Sequence, residues 1–273
     1  MGDDIRMTTP ADLLRAYDEQ LRTDAETPSA LSVERLGPLR LVTFAGGRGF
    51  VTYRDLGGAD AECVAELVAG AVERLEADPA IREIEWKTRG HDAAPGLHEA
   101  LLSHAFEPEE AESIMIGPLT ALADAPLPRG VVIRRVTDAD DIREASRAAD
   151  RAFGEEPDER RAAALVARIA READRPDGMQ MWVAEADGSI VCAGRLEPVA
   201  GTAFAGIWGG ATLPSHRGRG IYRALTAARA RSALAMGRTL CHSDSTEDSR
   251  PILERSGLVK VSTTTPYVRR REG

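Results

Sequence analysis

A glycine-rich turn between a strand-like run and a long helical pattern constrains this chain more than any other feature. The apolar run Thr202–Leu213 ends at Pro214, and a helical pattern extends over about Ile221–Met236. The connection between them contains Gly218 and Gly220. A glycine-rich turn that leads into a helix presents several unpaired backbone N–H groups together with the positive end of the helix dipole. The sequence therefore predicts an anion site, above all for phosphate, at the start of this helix.

The charge pattern around this turn supports a phosphate-bearing ligand. The chain is acidic overall, with 44 Asp and Glu against 35 Lys and Arg and a net charge of −9. The segment Pro198–Ser243 nevertheless contains no acidic residue, and its arginines are Arg217, Arg219, Arg223, Arg229, Arg231 and Arg238. A local cationic field suits a small polyanion, whereas a nucleic acid would require a broad basic face. The alternative is a solvated arginine-rich helix, since the chain uses arginine almost everywhere in place of lysine.

The order strand, proline and Arg-Gly-x-Gly at the head of a helix resembles the acetyl-CoA-binding motif of the GCN5-related N-acetyltransferases (GNAT). That motif is usually written Gln/Arg-x-x-Gly-x-Gly/Ala. Arg217 matches its first position and Gly220 its middle position, whereas Tyr222 occupies the last, where Gly or Ala is usual. We expect Tyr222 to crowd the helix start without abolishing a site made mainly of backbone N–H groups. Further along, Arg250–Leu258 resembles the closing segment of the family.

The resemblance covers about Val131–Val268, the length of one acetyltransferase domain. Within it the residue pattern predicts strands at Val131–Val136, Met179–Ala186, Ser189–Pro198, Thr239–Asp244 and Val259–Val268, and helices at Asp138–Phe153, Asp158–Ala173 and Ser249–Ser256. The resemblance implies a mixed α/β fold, an α+β mixed sheet of the GNAT acyl-CoA N-acyltransferase type.

The N-terminal half repeats the order of strands and helices. It shows strand-like runs at Leu39–Phe44, Phe50–Leu56, Ile84–Thr88 and Ser113–Leu119, and helical patterns at Ala61–Asp78 and Leu97–Ala105. We expect a degenerate second GNAT-like copy. Its equivalent turn keeps two glycines but carries Asp55, Asp60 and Glu62 where a pyrophosphate would lie, and like charges disfavour each other. This half is predicted not to bind the cofactor. It either lines the substrate cleft or has a purely structural role.

Length and composition predict two tandem domains. Residues 1–122 would form the degenerate GNAT-like domain, residues 123–130 a linker rich in Ala and Pro, and residues 131–273 the N-acetyltransferase domain. No apolar stretch approaches the roughly 20 residues that span a bilayer, and no signal-peptide pattern is visible. The three cysteines lie far apart, which argues against a disulfide framework. We therefore expect a cytoplasmic protein.

The resemblance implies direct transfer of an acetyl group from acetyl-CoA to a primary amine of a small molecule or peptide, in a ternary complex. Main chain at the end of the strand before the turn is expected to pair with the pantetheine arm of coenzyme A, and the turn to hold its pyrophosphate. The predicted cofactor-binding residues are Ala211, Thr212, Leu213, Arg217, Gly218, Arg219, Gly220, Ile221, Tyr222 and Arg223.

The candidate catalytic side chains depart from the family pattern. Leu253 fills the place where many members carry a tyrosine that acts as general acid. His242 and Asp244 lie two residues apart in a predicted strand, so both point to one face. We interpret His242 as the general base and Asp244 as the residue that orients it, with Glu197 as a second candidate base. The alternative is a polar pair at a strand end that meets solvent or caps the next helix.

Other functions stay open. A thiolate of Cys192 or Cys241 would allow a covalent acetyl-enzyme route. A non-catalytic protein that binds or senses acyl-CoA is favoured by Leu253, and a tandem acetyltransferase of the mycothiol synthase type is favoured by the double layout. The expected partner is a small-molecule amine, with no nucleic acid and no membrane, and a homodimer is compatible with the sequence. No metal site is predicted, because no cluster of His, Cys and Asp has the spacing of metal ligands.

Overall fold

The computed structural model describes residues 9–271. The first part of the chain contains α1 (Pro10–Gln20), β1 (Ser32–Leu36), β2 (Leu39–Phe44), β3 (Arg48–Thr52), α2 (Ala61–Glu76), β4 (Glu83–Arg89), α3 (Leu97–Ser103), β5 (Glu107–Pro108), β6 (Glu112–Pro118) and α4 (Leu119–Leu122). The second part contains β7 (Val131–Val136), α5 (Ala139–Phe153), α6 (Glu159–Glu172), β8 (Gln180–Ala186), β9 (Ser189–Pro198), β10 (Phe204–Thr212), α7 (Ile221–Ala235), β11 (Leu240–Ser245), α8 (Arg250–Arg255) and β12 (Val259–Arg270). No helix among these residues is both long enough and apolar enough to cross a bilayer.

Contacts between residues divide the described chain into two compact units. The N-terminal unit comprises residues 9–114, 244–248 and 260–271, and the C-terminal unit comprises residues 115–243 and 249–259. The division is not a single cut along the chain, because β12 pairs with β4 in the N-terminal unit. The domains predicted at 1–122 and 131–273, with their linker, therefore do not coincide with these units and stay a prediction.

The N-terminal unit is built on strands in the order β1-β2-β3-β4-β12. The β3–β4 pair is parallel and the other neighbours are antiparallel. Helix α2 packs on this sheet through Val64, Val68 and Leu75, whose spacing places them on one face towards Trp86. The predicted alternation of strands and helices is present here. That this unit is a degenerate copy of the acetyltransferase fold stays a prediction.

Helix α1 lies outside the sequence-based prediction, although its start has a recognisable signal. Thr9 is the N-cap, and its hydroxyl accepts a hydrogen bond from the backbone N–H of Asp12 at 3.2 Å. Pro10 occupies the first helical position, where its missing N–H is not needed. Tyr17 and Leu13 form the buried side of this helix.

The C-terminal unit is built on strands in the order β7-β8-β9-β10-β11. The first four strands are antiparallel neighbours, and β10 is parallel to β11. Side chains of β8 alternate between two clusters: Met181 and Val183 pack with α5, whereas Ala184 and Ala186 pack with α7. Helices therefore cover both faces of this sheet. The mixed sheet covered by helices confirms the predicted α/β class.

Candidate active site

The glycine-rich turn joins β10 to α7. Pro214–His216 forms one 3-10 turn after β10, and the chain then passes through Gly218 (φ +74°) and Gly220 (φ +78°) before α7 begins. Both values lie in the left-handed region, which glycine adopts without a steric penalty. A Cβ at Gly218 would meet no heavy atom within 4 Å. The backbone conformation therefore requires glycine there, and the space around that residue is open.

The backbone N–H groups of this turn have no protein partner. In the part of the chain that the structure describes, none of the six N–H groups of residues 218–223 donates to a protein acceptor. Gly220 is the N-cap of α7 and has no side chain that could cap the helix, and the first turn of α7 carries no acidic residue. The positive end of the helix dipole adds to these donors. The turn is therefore suited to hold an anion.

The arginines of the turn have different roles. Arg217 lies on the main chain: its Nε donates to the Thr212 carbonyl at 3.1 Å and its Nη2 to the Ala152 carbonyl at 2.6 Å. It thereby ties the turn to the ends of β10 and α5. Arg219 and Arg223 are exposed, and neither forms an ion pair within residues 9–271. These two cations are available to an anion at the turn.

Strand β10 contains a bulge shortly before the turn. Gly209 and Gly210 stand opposite the single residue Gly194 of β9, and Gly209 has φ +55°. A bulge of this kind bends the strand and re-aims the groups that follow it. Ala211 and Thr212 then pair with β9 again. The bulge therefore sets the direction of the strand end that leads into the turn.

The residues predicted to pair with pantetheine follow the bulge directly. Ala211 is buried and Thr212 is half-buried, and the Thr212 hydroxyl lies 3.1 Å from the Cys192 sulfur. The N–H of Leu213 donates to the Val191 carbonyl at 2.9 Å. These bonds hold the end of β10 against β9. Main-chain pairing of the three residues with a cofactor stays a prediction.

A cavity of about 100 Å³ lies beside the first turns of α7. Its lining residues come from α7, α8 and the segment at the end of α4: Ala121, Leu122, Asp124, Ala125, Tyr222, Arg223, Thr226, Ile252, Leu253, Arg255 and Ser256. Small-molecule pockets usually measure about 300–1,000 Å³, so this cavity takes only part of a ligand. The Tyr222 ring packs on β10, because a Cβ at Gly210 would lie 2.6 Å from its Cε2 atom. The crowding expected from Tyr222 is thus directed at the strand, and Ile221 beside it is buried.

Comparison with known proteins identifies this part of the chain. Residues 140–257 match the model of the Acetyltransferase (GNAT) family, a stretch that contains the turn, the bulge and α8. Residues 140–257 are therefore a domain of the acetyltransferase (GNAT) family, in the acyltransferase class. No curated protein sequence matches the chain.

Solved structures are similar in fold over most of the chain. A GCN5-related N-acetyltransferase from Kribbella flavida is similar with a TM-score of 0.67 and 20% identity, covering 98% of this chain and 97% of its own. One from Sphaerobacter thermophilus is similar with a TM-score of 0.63 and 18% identity, covering 97% and 95%. A tandem GNAT protein from the clavulanic acid biosynthesis pathway is similar with a TM-score of 0.58 and 16% identity, covering 86% and 79%. The predicted GNAT fold is confirmed.

His242, the predicted general base of this GNAT domain, packs between two aromatic rings. Its side chain is buried in β11, and its ring centroid lies 5.8 Å from that of Phe204 and 5.1 Å from that of Trp208, edge-on in both cases. Such contacts fix the orientation of the imidazole. Its role as a base stays a prediction.

Asp244 and Glu197, the other catalytic candidates, both form ion pairs. Asp244 accepts a hydrogen bond from the Lys87 Nζ at 2.7 Å. Glu197 accepts from the Arg168 Nη2 at 2.7 Å and from the Arg195 Nε at 3.2 Å. In both cases the carboxylate oxygens are thus occupied by neighbouring cations. The structure thus gives both residues an ion-pairing role, and their catalytic roles stay predictions.

Leu253 cannot donate a proton, and the two strand cysteines are poor nucleophiles at neutral pH. Leu253 belongs to a buried apolar cluster and has no titratable group. Burial raises the pKa of the Cys192 thiol, and it raises the pKa of Cys241 to about 12. Both thiols are therefore protonated near pH 7 and poor nucleophiles. This removes the chemical support for the covalent route through a cysteine.

Sequence reasoning missed a polar cluster on the buried side of α7. Tyr222, Thr226 and Arg229 stand at positions i, i+4 and i+7, so they share one face of the helix. Arg229 is completely buried. The spacing was visible in the sequence, but an arginine in an alanine-rich helix predicts a solvated side chain.

Proposed function

We propose that this protein transfers an acetyl group from acetyl-CoA to a primary amine of a small molecule or peptide, by direct attack in a ternary complex, in the cytoplasm. One observation carries the proposal: six consecutive backbone N–H groups, those of residues 218–223, have no acceptor among the described residues. A helix N-terminus with unsatisfied donors is a binding site for phosphate groups.

The residues of the turn divide the work of binding. The N–H groups of 218–223 donate to the pyrophosphate of coenzyme A, and Arg219 and Arg223 neutralise its charge. Arg217 positions the turn through its bonds to the Thr212 and Ala152 carbonyls. The main chain of 211–213 holds the pantetheine arm at the end of β10. Acetyl-CoA supplies the thioester carbonyl that the amine attacks.

A second candidate function is a non-catalytic protein that binds or senses acyl-CoA. It is favoured by the ion pairs of Glu197 and by the burial of Leu253 at the place of the usual tyrosine. Both candidate functions require the same cofactor site, so turnover alone separates them.

A pair of matched variants tests the site. Gly218 and Gly58 both lie two residues before a helix N-cap, have φ values of +74° and +76°, and face open space. Gly218→Asp places a carboxylate beside the N–H groups of α7 and should lower the affinity for CoA by about 100-fold or more. Gly58→Asp carries the same backbone strain and should leave the affinity unchanged. Isothermal titration calorimetry measures both.

Equal affinities of the two variants for CoA would contradict the site. A separate experiment tests turnover. It follows the release of free thiol from acetyl-CoA by the wild-type protein with a panel of small amines and peptide N-termini. Faster release with at least one amine is expected. Tight binding of acetyl-CoA without release on any amine would favour the sensing function.

A further inference from the structure

Arg229 is a buried cation that has no carboxylate partner among the described residues. Its side chain in α7 is fully buried, its Nη1 donates to the Arg195 carbonyl at 3.1 Å, and its Nη2 donates to the Thr226 hydroxyl at 3.0 Å. Among residues 9–271, no acidic side chain forms an ion pair with it, and its Nε has no acceptor. A charge taken out of water is costly unless an opposite charge compensates it.

The other buried arginines of the described chain all have such compensation. The ion pairs are Arg22 with Asp92, Arg40 with Asp24, and Arg89 with Glu26. All three belong to the N-terminal unit. The lack of a carboxylate at Arg229 is therefore particular to α7, and it raises the question of which anion the guanidinium meets.

The strands beneath α7 are shaped to hold this guanidinium. A Cβ at Gly194 would lie 2.7 Å from the Arg229 Nη1, and a Cβ at Gly210 would lie 3.3 Å from its Nη2. Only glycine leaves enough room at Gly194, and both glycines belong to the bulge of β9 and β10. The guanidinium thus lies directly against the bulge, just before the strand end that leads into the cofactor turn.

Tyr222 connects this buried charge with the cavity. It lines the cavity together with Leu253, and it stands two turns before Arg229 on the same helix face. Its hydroxyl and the Arg229 Nη2 lie at the same distance, 3.3 Å, from the point where a Gly210 Cβ would be. The two groups are therefore no further apart than twice that distance. Burial raises the pKa of Tyr222, while the Arg229 charge counteracts the rise, so the phenol is protonated near pH 7.

We propose that the Tyr222 hydroxyl donates the proton to the departing thiol, and that Arg229 is a positioning residue whose charge compensates the phenolate left behind. The proposal rests on the proposed acetyl transfer. The amine nitrogen forms a bond to the carbonyl carbon, and the C–S bond breaks with its electron pair on sulfur. Sulfur takes the phenolic proton. The phenolate then takes a proton from water. Water in turn accepts the proton that the attacking amine loses. The missing anion of Arg229 is thus one that exists only during turnover.

The kinetic test uses Tyr222→Phe, Arg229→Gln and the double variant, with thiol release from acetyl-CoA followed with water and with the amine panel as acceptors. Tyr222→Phe should lower kcat by about 100-fold, as expected for loss of a general acid, with the KM for acetyl-CoA nearly unchanged. It should also abolish the loss of activity at high pH. Arg229→Gln should lower kcat by roughly 10-fold alone and have no further effect in the Tyr222→Phe background.

A control and a second readout separate this role from a structural one. Arg231→Gln removes a charge from the same helix, where Arg231 is exposed and donates to the Ala123 carbonyl, and it should leave kcat unchanged. Without any cofactor, ultraviolet titration of tyrosinate should show that Arg229→Gln raises the pKa of the one tyrosine that Tyr222→Phe removes. If Arg229→Gln does not fold, Arg229→Met, which also removes the charge, takes its place.

The outcomes distinguish this inference from the proposed function. Wild-type protein that fails to bind acetyl-CoA would contradict the proposed function itself. A Tyr222→Phe variant that keeps wild-type kcat, or additive effects in the double variant, would overturn the proton-donor role alone. Binding of acetyl-CoA without thiol release with any acceptor would contradict the proposed acetyl transfer and the proton-donor role together.

Discussion

Helices α2 and α7 both begin after a turn with two glycines, but their N-termini are satisfied in opposite ways. In α2, an Asp60 carboxylate oxygen accepts from the Cys63 N–H at 2.9 Å, and Asp55 accepts from the Gly57 N–H at 2.9 Å. In α7 the N-cap is Gly220, which has no side chain to offer. The same type of turn is therefore closed where the chain supplies carboxylates and available to an external anion where it does not.

The buried arginines repeat this contrast. In the N-terminal unit, Arg89 donates one hydrogen bond to the Glu26 carboxylate and another, of 3.2 Å, to the Thr52 hydroxyl. The Glu26 carboxylate compensates its charge. In the C-terminal unit, the acceptors of Arg229 in the described part of the chain are both neutral, a carbonyl and a hydroxyl. Among residues 9–271, the N-terminal unit pairs its buried arginines with carboxylates, whereas the C-terminal unit offers Arg229 no carboxylate. Three experiments test these two contrasts.

The largest change in the free energy of unfolding is expected from breaking a buried arginine–carboxylate ion pair. Arg89→Met leaves the Glu26 carboxylate buried without its cation and should lower the free energy of unfolding by about 3–5 kcal/mol. Arg229→Met leaves no acidic side chain behind and should change it by less than half as much. Urea unfolding of both variants measures the difference. Equal losses would show that the two arginines are compensated alike.

Lowering the pH should reduce the free energy of unfolding by a smaller amount. Protonation removes the charge of Glu26 but leaves its side chain in place. Burial alone would raise the pKa of Glu26, but Arg89 outweighs it and holds the pKa below its ordinary value of 4.5. A carboxyl whose pKa is lower in the folded state stabilises the fold above about pH 4.5, and this stabilisation is lost as the pH falls through the folded value. Urea unfolding at decreasing pH should show this loss. The Glu26→Gln variant should show a weaker pH dependence, and an unchanged slope would contradict the pairing.

The smallest effect is expected from removing the cap of α2. Asp60→Ala leaves the Cys63 N–H without its acceptor, and the melting temperature should fall by roughly 2–4 °C. The variant should bind CoA with the same stoichiometry as the wild-type protein, because Asp55 and Glu62 remain beside the α2 turn. Calorimetry showing a second CoA site in this variant would mean that one carboxylate alone separates the two turns.

The local features of the site were predictable from the sequence. The turn at Gly218 and Gly220 follows from residue types within a few positions, and so does the start of α7 at Ile221. The acidic residues of the other turn indicated that it would not accept a pyrophosphate, and Asp60 proves to be the helix cap there. Such features depend on short-range backbone chemistry, which sequence patterns express directly.

The long-range features could not be predicted in the same way. The pairing of β12 with β4 joins residues far apart in the chain, and nothing in either strand specifies that partner. The burial of Arg229 depends on glycines in β9 and β10, which only the folded sheet brings under α7. The ion pair of Asp244 with Lys87 likewise joins distant segments, and no local pattern in the sequence indicates it.

The most direct test of the central claim compares the backbone amides of the two turns during titration with CoA. Two-dimensional NMR of isotope-labelled protein reports each N–H separately. We predict that the amide signals of residues 218–223 move with increasing CoA concentration while those of residues 57–63 stay in place. Stationary signals at 218–223, or equal movement in both turns, would contradict the claim that α7 carries the coenzyme A site.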